Sequence, residues 1–352
     1  MSESSVLDAA RGEGDPLADA CVDALGARAF AVNALLRHGH RNDDPLPSAL
    51  PAEVRDLFLQ VTLPEWTEAS RITAAQRWAA ENIFLVTAAL FAASLPSTYA
   101  AAKGARVLAA TGRMGPAELV RRVNETAQFV LDVLTPGAFG PEGAGLSSIR
   151  KVRLIHASVR RRLARDPAYG DETPINQEDL VGTSLAFSVT VLDAVRALGG
   201  RVEDGVADDF VHLWRVVSTM LGARDDLLPR SVADAIARRR SIATRQNRAS
   251  EHGRSLMAAL LAGMEAHTPG LRDLPRLLVR YLVGDALAEL LGVPRATSPL
   301  SSIATLVLRS GRPSGAIVPG LSLVGPRFGK PLLEAVVAKK LSGATASFEL
   351  PR

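Results

Sequence analysis

The sequence has very little cysteine and few aromatic residues, and these shortages exclude several classes of protein. Cys21 is the single cysteine in 352 residues, which excludes an internal disulfide framework and a cysteine-rich zinc site. It lies outside the F-x-x-G-x-R-x-C-x-G context of a haem enzyme with a cysteine ligand, which argues against that class. No C-x-x-C-H motif is present for covalent attachment of haem. Aromatic residues make up 5% of a chain that is 47% hydrophobic, and Ala, Leu and Val dominate. This composition favours helices over long β-sheets, so we predict an all-α fold in a single globular many-helix domain.

Lysine is also scarce, with five lysines among the 41 basic residues, and the net charge is +4. No basic block with interleaved aromatic residues is found, so we predict no nucleic-acid binding. The first residues lack a basic start followed by an apolar core, which predicts no export signal and a cytoplasmic protein. The most apolar runs, Ile83 to Ala93 and Val181 to Val191, are shorter than the roughly 20 residues of a membrane span. We predict that both are buried helices and that no segment crosses a membrane.

No internal repeat or low-complexity linker divides the chain. We expect a disordered N-terminal segment at 1–15, a helical domain at 16–342 and a C-terminal tail at 343–352. Asn176 and Asp179 have the spacing of an N-cap and its N3 residue, Gly199–Gly200 is typical of a helix end, and a turn is expected after Ser94. Hydrophobic periodicity predicts helices at about 16–38, 52–60, 72–93, 116–134, 147–165, 177–198, 204–222, 229–239, 246–264, 273–291, 299–310 and 330–341.

The stretch KVRLIHASVRRRL, residues 151–163, contains one histidine on an apolar helical stripe. Val152, Ile155 and Val159 recur at helical spacing, and His156 lies one turn from Val152 and Val159. A buried imidazole needs a partner, because an unpaired buried polar group costs about 1–3 kcal/mol. Two interpretations stay open: a core histidine bonded to a carbonyl or water, or a ligand of a metal cofactor.

Arginines flank this histidine, and a second polar pair lies on another helix. Arg153 and Arg160 lie beside His156 on the helical arc, where they would bind the carboxylates of such a cofactor. Arg122 and Thr126 share one face of the helix that begins at Pro116. They are either a snorkelling arginine with a threonine bonded back to a carbonyl, or a polar corner that orients bound oxygen or substrate.

Other candidate sites are weaker. His38 and His40 form an H-x-H pair without a third ligand nearby, which predicts a solvated loop rather than a zinc site. The Gly/Pro-rich loop at 135–148 lacks a G-x-x-x-x-G-K-[ST] motif and is not expected to bind phosphate. His212 is the reserve candidate for an axial ligand. No H-E-x-x-H or E-x-x-H pair supports a metal-dependent hydrolase.

Several segments together resemble the latex-clearing protein (rubber oxygenase) family, which includes the fungal oxygenase that shortens the farnesyl chain in mycophenolic acid biosynthesis. The resemblance runs from about Leu46 to Pro294. The segments that carry it are LPEWTEASRI at 63–72, SLPSTYAAAKGARVLAATGRM at 94–114, RRVNETAQFVLDVLTPGAFGPEGAG at 121–145, KVRLIHASVR at 151–160, PINQEDLVGTSLAFS at 174–188, LGARDDLLP at 221–229 and LPRLLVRYLVGDALAELLGVP at 274–294.

The resemblance implies an all-helical domain that encloses non-covalent haem b. It makes His156 the proximal iron ligand and places Arg122 and Thr126 on the distal side. The family's distal lysine is replaced by Glu125, which implies a more open or water-filled distal site; we expect Glu125 to pair with Arg122, or else to act as a base. The acidic base that these proteins use upstream of this helix has no clear counterpart, since its register falls near Arg106.

The implied activity is the O₂-dependent oxidation or cleavage of a C=C bond in an apolar, isoprenoid-like substrate or another secondary metabolite. Two alternatives stay open: a peroxidase- or monooxygenase-type haem enzyme, and a non-catalytic haem or lipid binder. The resemblance leaves open whether a redox partner takes part and whether the protein is a monomer or a dimer.

Overall fold

Helices build the part of the chain that can be described, as the low aromatic content predicts. The computed structural model describes residues 3–28, 32, 41–110, 116–267, 273–295, 329–330 and 333–334. The predicted pair His38 and His40, the helix at 299–310, most of that at 330–341 and the tail at 343–352 lie outside these residues. Within the described ranges no β-strand forms, and one isolated bridge joins Ala101 to Asn247.

The described α-helices are α1 (Glu3–Arg11), α2 (Pro16–Leu25), α3 (Ala52–Gln60), α4 (Ala69–Glu81), α5 (Ile83–Ala89), α6 (Leu95–Ala100), α7 (Ala102–Ala110), α8 (Pro116–Leu134), α9 (Gly145–Leu163), α10 (Gln177–Phe187), α11 (Val189–Ala197), α12 (Asp204–Met220), α13 (Val232–Gln246), α14 (Glu251–Ala266), α15 (Asp273–Val283) and α16 (Asp285–Leu290). A π-helical segment, Leu90–Ser94, joins α5 to α6. Short 3₁₀ turns lie at Gly26–Arg28, Pro167–Tyr169 and Asp225–Leu227.

Helices α4 and α12 pack along each other and supply much of the core. Trp78 of α4 meets Phe210 of α12 edge-to-face, with ring centroids 5.2 Å apart. The Trp78 indole N–H donates to the carbonyl of Arg201 at 3.0 Å, so this aromatic residue is buried without losing its hydrogen bond. The contact between Trp78 and Phe210 thus joins α4 to α12, two helices that lie far apart in the sequence.

The chain continues as a helix through Ser94, so the turn predicted there is wrong. Pro96 lies in the first turn of α6, directly after the π segment, and has no backbone N–H to donate. The π segment before it widens the hydrogen-bond register and lets the axis pass the proline. Sequence periodicity shows the apolar run but not this change of register.

Two described segments have the length and hydropathy of a membrane span, Ile83–Ala100 and Gln177–Ala197. Within their most apolar windows, 72% and 67% of the residues are buried inside the molecule. This burial agrees with the prediction of core helices, and the two segments are weak evidence for membrane insertion.

The N-terminal segment is a docked helix, so the prediction of disorder at 1–15 is wrong for residues 3–15, which are the part described. Leu7 and Ala10 of α1 are completely buried. Arg11 donates to the fully buried carboxylate of Glu178 at 2.8 Å and to Glu172 at 3.1 Å. These partners lie more than 160 residues away, so the segment's own polar composition gives no sign of them.

Local signals at helix ends are confirmed, but several breaks inside predicted helices were missed, among them those at Asn82 and Gly26. The Asn176 side chain accepts from the Asp179 N–H at 3.0 Å, and Gly199 has a positive φ of 84°. The helix predicted at 177–198 breaks at Ser188, and that at 273–291 breaks at Gly284, whose φ is 82°. The break at Gly284 separates α15 from α16 and uses the left-handed conformation that glycine adopts readily.

Candidate active site

A cavity of about 850 Å³ lies inside the helical domain and is lined by residues of α6 to α16. Its walls are mostly apolar, with contributions from Phe129, Ile155, Phe187, Leu256 and Leu282. The volume is within the range of roughly 300–1,000 Å³ that is usual for small-molecule and cofactor sites. Polar side chains occupy a few separate positions on the wall, and these define the chemistry of the site.

His156 lies on the cavity wall, where α9 also contributes Val152, Ile155 and Val159. Its Nδ1 atom is buried and has no hydrogen-bond partner within the described ranges. Burial lowers the pKa of the imidazole to about 4; the nearby Arg160 charge acts in the same direction, and Asp15 opposes it. The ring is therefore neutral at ordinary pH, which is the form that ligates metals.

Arg122 and Thr126 lie on the same cavity wall, one helical turn apart on α8. The Arg122 guanidinium donates to the carbonyl of Leu108 on α7, and the Thr126 hydroxyl donates to the Arg122 carbonyl at 3.0 Å. The threonine thus bonds back to the helix, as one interpretation of the sequence proposed. Both side chains nevertheless form part of the cavity wall, as the other required.

Glu125 also lies on the cavity wall, and its carboxylate lies 3.6 Å from Nε of Arg121, one turn earlier on α8. The expected pairing of Glu125 with Arg122 stays a prediction. Arg106, at the register of the family's acidic base, stacks over the ring of Tyr169 at 5.9 Å. Glu125 therefore supplies a carboxylate to the α8 wall, with the Arg121 guanidinium close by.

Arg153 and Arg160 do not reach the cavity, contrary to the expectation from the helical arc. Arg153 forms a two-pronged pair with Asp15, at 2.7 and 2.9 Å, and Arg160 binds Asp19 at 2.7 Å. Both arginines turn toward α2 and the residues before it, which supply matching carboxylates. The sequence showed the arginines but not these partners 138 and 141 residues away.

Trp214 is a wall residue that the sequence analysis missed. Its ring stacks on Phe187 with centroids 5.3 Å apart and an interplanar angle of 18°. The residue is 2% exposed, and its Nε1–H has no hydrogen-bond partner in the described part of the chain. A buried indole normally finds an acceptor, so this donor is available to a bound molecule. The sequence places Trp214 on an apolar helical face, a position that does not separate it from ordinary core residues.

Two carboxylates of α10 were also missed as wall residues, Glu178 and Asp179. Glu178 is fully buried and accepts from Arg11, Arg245 and Gln246 at 2.7–2.8 Å. Burial raises the pKa of Asp179 to about 6, and the neighbouring charge of Glu178 adds to the effect against the opposing Arg11. The sequence identified Asp179 only as a helix-capping position.

His212, the reserve candidate for an axial ligand, takes a structural role. Its Nε2 accepts from the Glu68 N–H at 3.1 Å, and its ring meets Trp66 edge-to-face at 5.7 Å. It is not part of the cavity wall. Among the residues that can be described, no group of three or more His, Cys, Asp or Glu side chains is placed to hold a metal ion. His156 is the histidine that the described ranges place on the cavity wall.

Comparison with known proteins gives consistent matches. Residues 75–310 match the model of a family described as ER-bound oxygenase mpaB/B'/Rubber oxygenase, catalytic domain. The chain is 27% identical over 291 residues to the rubber oxygenase of Streptomyces sp. (strain K30), which covers 80% of this chain and 70% of that protein. Its fold matches the structure of latex clearing protein LCP in the closed state, with a TM-score of 0.74 and 26% identity over 92% of this chain and 88% of the other.

Proposed function

Because the chain belongs to the family of mpaB-type and rubber oxygenases and is an oxidoreductase, we propose that it is a haem b-dependent oxygenase acting at a C=C bond of an apolar, isoprenoid-like substrate. The observation that carries the proposal is a neutral, cavity-facing His156 whose buried Nδ1 has no hydrogen-bond partner among the residues described.

The residues of the wall fit a haem. An imidazole kept neutral by burial offers a nitrogen lone pair to iron, and the apolar walls suit a porphyrin face. The unpaired indole N–H of Trp214 offers a donor to an acceptor on a bound molecule. Arg153 and Arg160 are already bound to Asp15 and Asp19, so we do not assign them to the haem carboxylates.

When bound, haem b supplies the oxygen chemistry, while the protein supplies the ligand, the access route and the local polarity. His156 holds the cofactor from α9. Arg122 presents a fixed positive charge at the α8 wall, because its contact with the Leu108 carbonyl limits its rotation. Thr126 uses its hydroxyl proton within the helix and keeps its oxygen lone pairs for a partner in the cavity.

Glu125 would act as a polar wall residue whose charge Arg121 offsets. A carboxylate in this position is a poorer ligand for ferrous iron than a neutral amine, so the distal side would stay accessible to oxygen and substrate. The mostly apolar remainder of the wall excludes water and favours an alkene chain over a polar metabolite.

The first test is the absorption spectrum of the full chain produced with a haem precursor, beside His156→Ala. We expect a strong Soret band in the wild type that collapses or shifts in the variant. His267→Ala is the matched control, because His267 is exposed and its ring contacts only the Gly263 carbonyl in the described structure. A wild type that lacks a Soret band after haem addition would contradict the proposal.

Catalysis needs a second measurement, since a haem carrier gives the same spectrum. Oxygen uptake is followed with unsaturated terpenoids and fatty acids, and the products are identified by mass. Aldehyde or ketone products from a broken C=C bond support the proposal. Oxidation that requires added peroxide would favour peroxidase-type chemistry, and binding without oxygen uptake would favour a carrier.

A further inference from the structure

One part of the cavity wall carries positive charge and bears on the chemistry of the substrate. Helix α13 contributes Arg239 and Arg240 to the wall, and α11 contributes Thr190 and Asp193. Arg239 donates to Asp193 at 2.8 Å and to the Thr190 hydroxyl at 3.3 Å. These contacts hold the Arg239 guanidinium at the wall, and Arg240, the next residue of α13, also lines the cavity.

The charges in this cluster do not balance. The Asp193 carboxylate is shared between Arg239 and Arg196, which lies 3.7 Å away. Arg240 is exposed, and no carboxylate of the described residues lies within ion-pair distance of it. Arg239 and Arg196 therefore share one carboxylate, and Arg240 on the same wall has none among the described residues, which leaves a local excess of positive charge.

The wall next to this cluster is apolar. Ala194 and Ala197 of α11 line the cavity, as do Leu282, Val283 and Leu287 from α15 and α16. The arginines therefore adjoin a surface that suits a hydrocarbon chain. A ligand with an apolar body and a negatively charged end would contact both kinds of wall.

The carboxylates of α10 show that this excess is not general to the cavity. Glu178 is bound by Arg11 and Arg245, and Asp179 by Arg11. At α10 the protein supplies both the carboxylates and the arginines that balance them. At Arg240 the described residues supply a positive charge without a carboxylate partner.

We propose that Arg239 and Arg240 recognise an anionic group of the substrate, so that the substrate is an unsaturated apolar chain ending in a carboxylate or a phosphate. Guanidinium groups bind both oxyanions through paired N–H donors. The proposal rests on the proposed function, because it takes this cavity as the substrate site. The proposal predicts that a plain hydrocarbon is a poorer ligand, because it has no group for the arginines to bind.

The test is calorimetric binding of farnesoic acid, farnesyl phosphate and farnesol to the full chain with haem added. The three share one hydrocarbon chain and differ at the head group. We expect the acid or the phosphate to bind about tenfold more tightly than the alcohol, as one charge-assisted contact would give. Whichever anion binds more tightly identifies the head group. The preference should shrink at high salt, because Arg240 is exposed.

Variants on α13 show whether the arginines cause the preference. In Arg239→Gln/Arg240→Gln we expect the three ligands to bind within about threefold of one another. Arg240→Gln alone should lose part of the preference without disturbing the fold, since this side chain is exposed and makes no described ion pair. Arg238→Gln is the matched control, because Arg238 pairs with Asp234 and is absent from the cavity wall.

Equal binding of acid, phosphate and alcohol to the wild type would overturn the proposal, as would a preference that survives in the double variant. These outcomes differ from failure of the proposed function. If the anion preference holds and depends on the two arginines, but no ligand drives oxygen uptake, the recognition site stands and the oxygenase assignment fails.

Discussion

Toward the start of α2, helix α9 meets carboxylates that match its arginines, whereas toward the cavity its histidine meets no described hydrogen-bond partner. Asp15 and Asp19 bind Arg153 and Arg160, but His156 Nδ1 is buried and unpaired. Native proteins rarely leave a buried polar atom without a partner. We therefore attribute the paired side of α9 to stability and propose a ligand for the unpaired side.

The largest effect is expected on the paired side. Arg153→Ala leaves Asp15, whose side chain is 3% exposed, without its partner. Removing one member of a buried pair costs about 3–5 kcal/mol, so we expect a loss of that size in urea unfolding. Arg201→Ala is the control, because Arg201 and Glu203 are 92% and 74% exposed and their pair contributes about 1 kcal/mol or less. Equal losses of unfolding free energy in Arg153→Ala and Arg201→Ala would show that the buried pair contributes no more to stability than the exposed one.

On the unpaired side, the expected signature is a dependence on pH. The pKa of His156 is about 4 in the fold and about 6.5 in the unfolded chain, so the unfolded chain takes up a proton first. The haem-free protein should lose about 3 kcal/mol of stability as the pH falls from 6.5 to 4. His156→Leu should remove this part of the loss and leave stability at pH 7 equal or slightly higher. Denaturant titrations at several pH values measure the unfolding free energy of both proteins. If stability falls with pH as steeply in the variant as in the wild type, the lowered pKa of His156 is contradicted.

Asp179 should show the opposite dependence, since its pKa is raised to about 6 in the fold. The folded protein holds this proton more tightly, so stability falls as the pH rises from about 4 to 6. Asp179→Asn should therefore stabilise the protein at pH 8 by about 1–2 kcal/mol, a figure reduced for the lost contact with Arg11, and have little effect below pH 4. Destabilisation at pH 8 would show that this contact matters more than the burial of the charge.

Trp214→Phe is expected to have the smallest effect on stability. The indole N–H has no described partner, so its removal loses no hydrogen bond and should change the unfolding free energy by about 1 kcal/mol or less. If a bound molecule accepts this proton, haem or substrate affinity should fall about five- to tenfold. A titration of haem into both proteins tests this. A large loss of stability with unchanged haem affinity would show that Trp214 stabilises the fold and does not bind a ligand.

Local patterns in the sequence predicted local structure well. The helix at 52–60, the start of α8 at Pro116 and the Asn176 cap are found where expected. Each depends on side chains within one or two turns, which a sequence shows directly. The placement of His156, Arg122 and Thr126 on one cavity wall follows from the same helical periodicity together with the family resemblance.

Features that depend on distant partners were missed. Arg153 and Arg160 were read as cofactor contacts, because periodicity places them beside His156 but does not show Asp15 and Asp19. The order of residues 3–15 depends on the same kind of long-range pairing, in which Arg11 binds Glu178. Trp214 was missed because an unpaired donor can be recognised only when its surroundings are known.

The pairing of α1 with residues far along the chain also has a consequence for biosynthesis. Asp8 binds Arg245, which is translated 237 residues later, and Arg245 also binds Glu178 beside Arg11. At about 5–20 residues per second, α1 leaves the ribosome roughly 10–50 s before its last partner is made. During that time Leu7 and Ala10, both fully buried in the finished fold, have no complete surface to cover them. Helix α1 is thus fixed in place only after residue 245 has been made, and nascent chains arrested before that residue should expose it to protease.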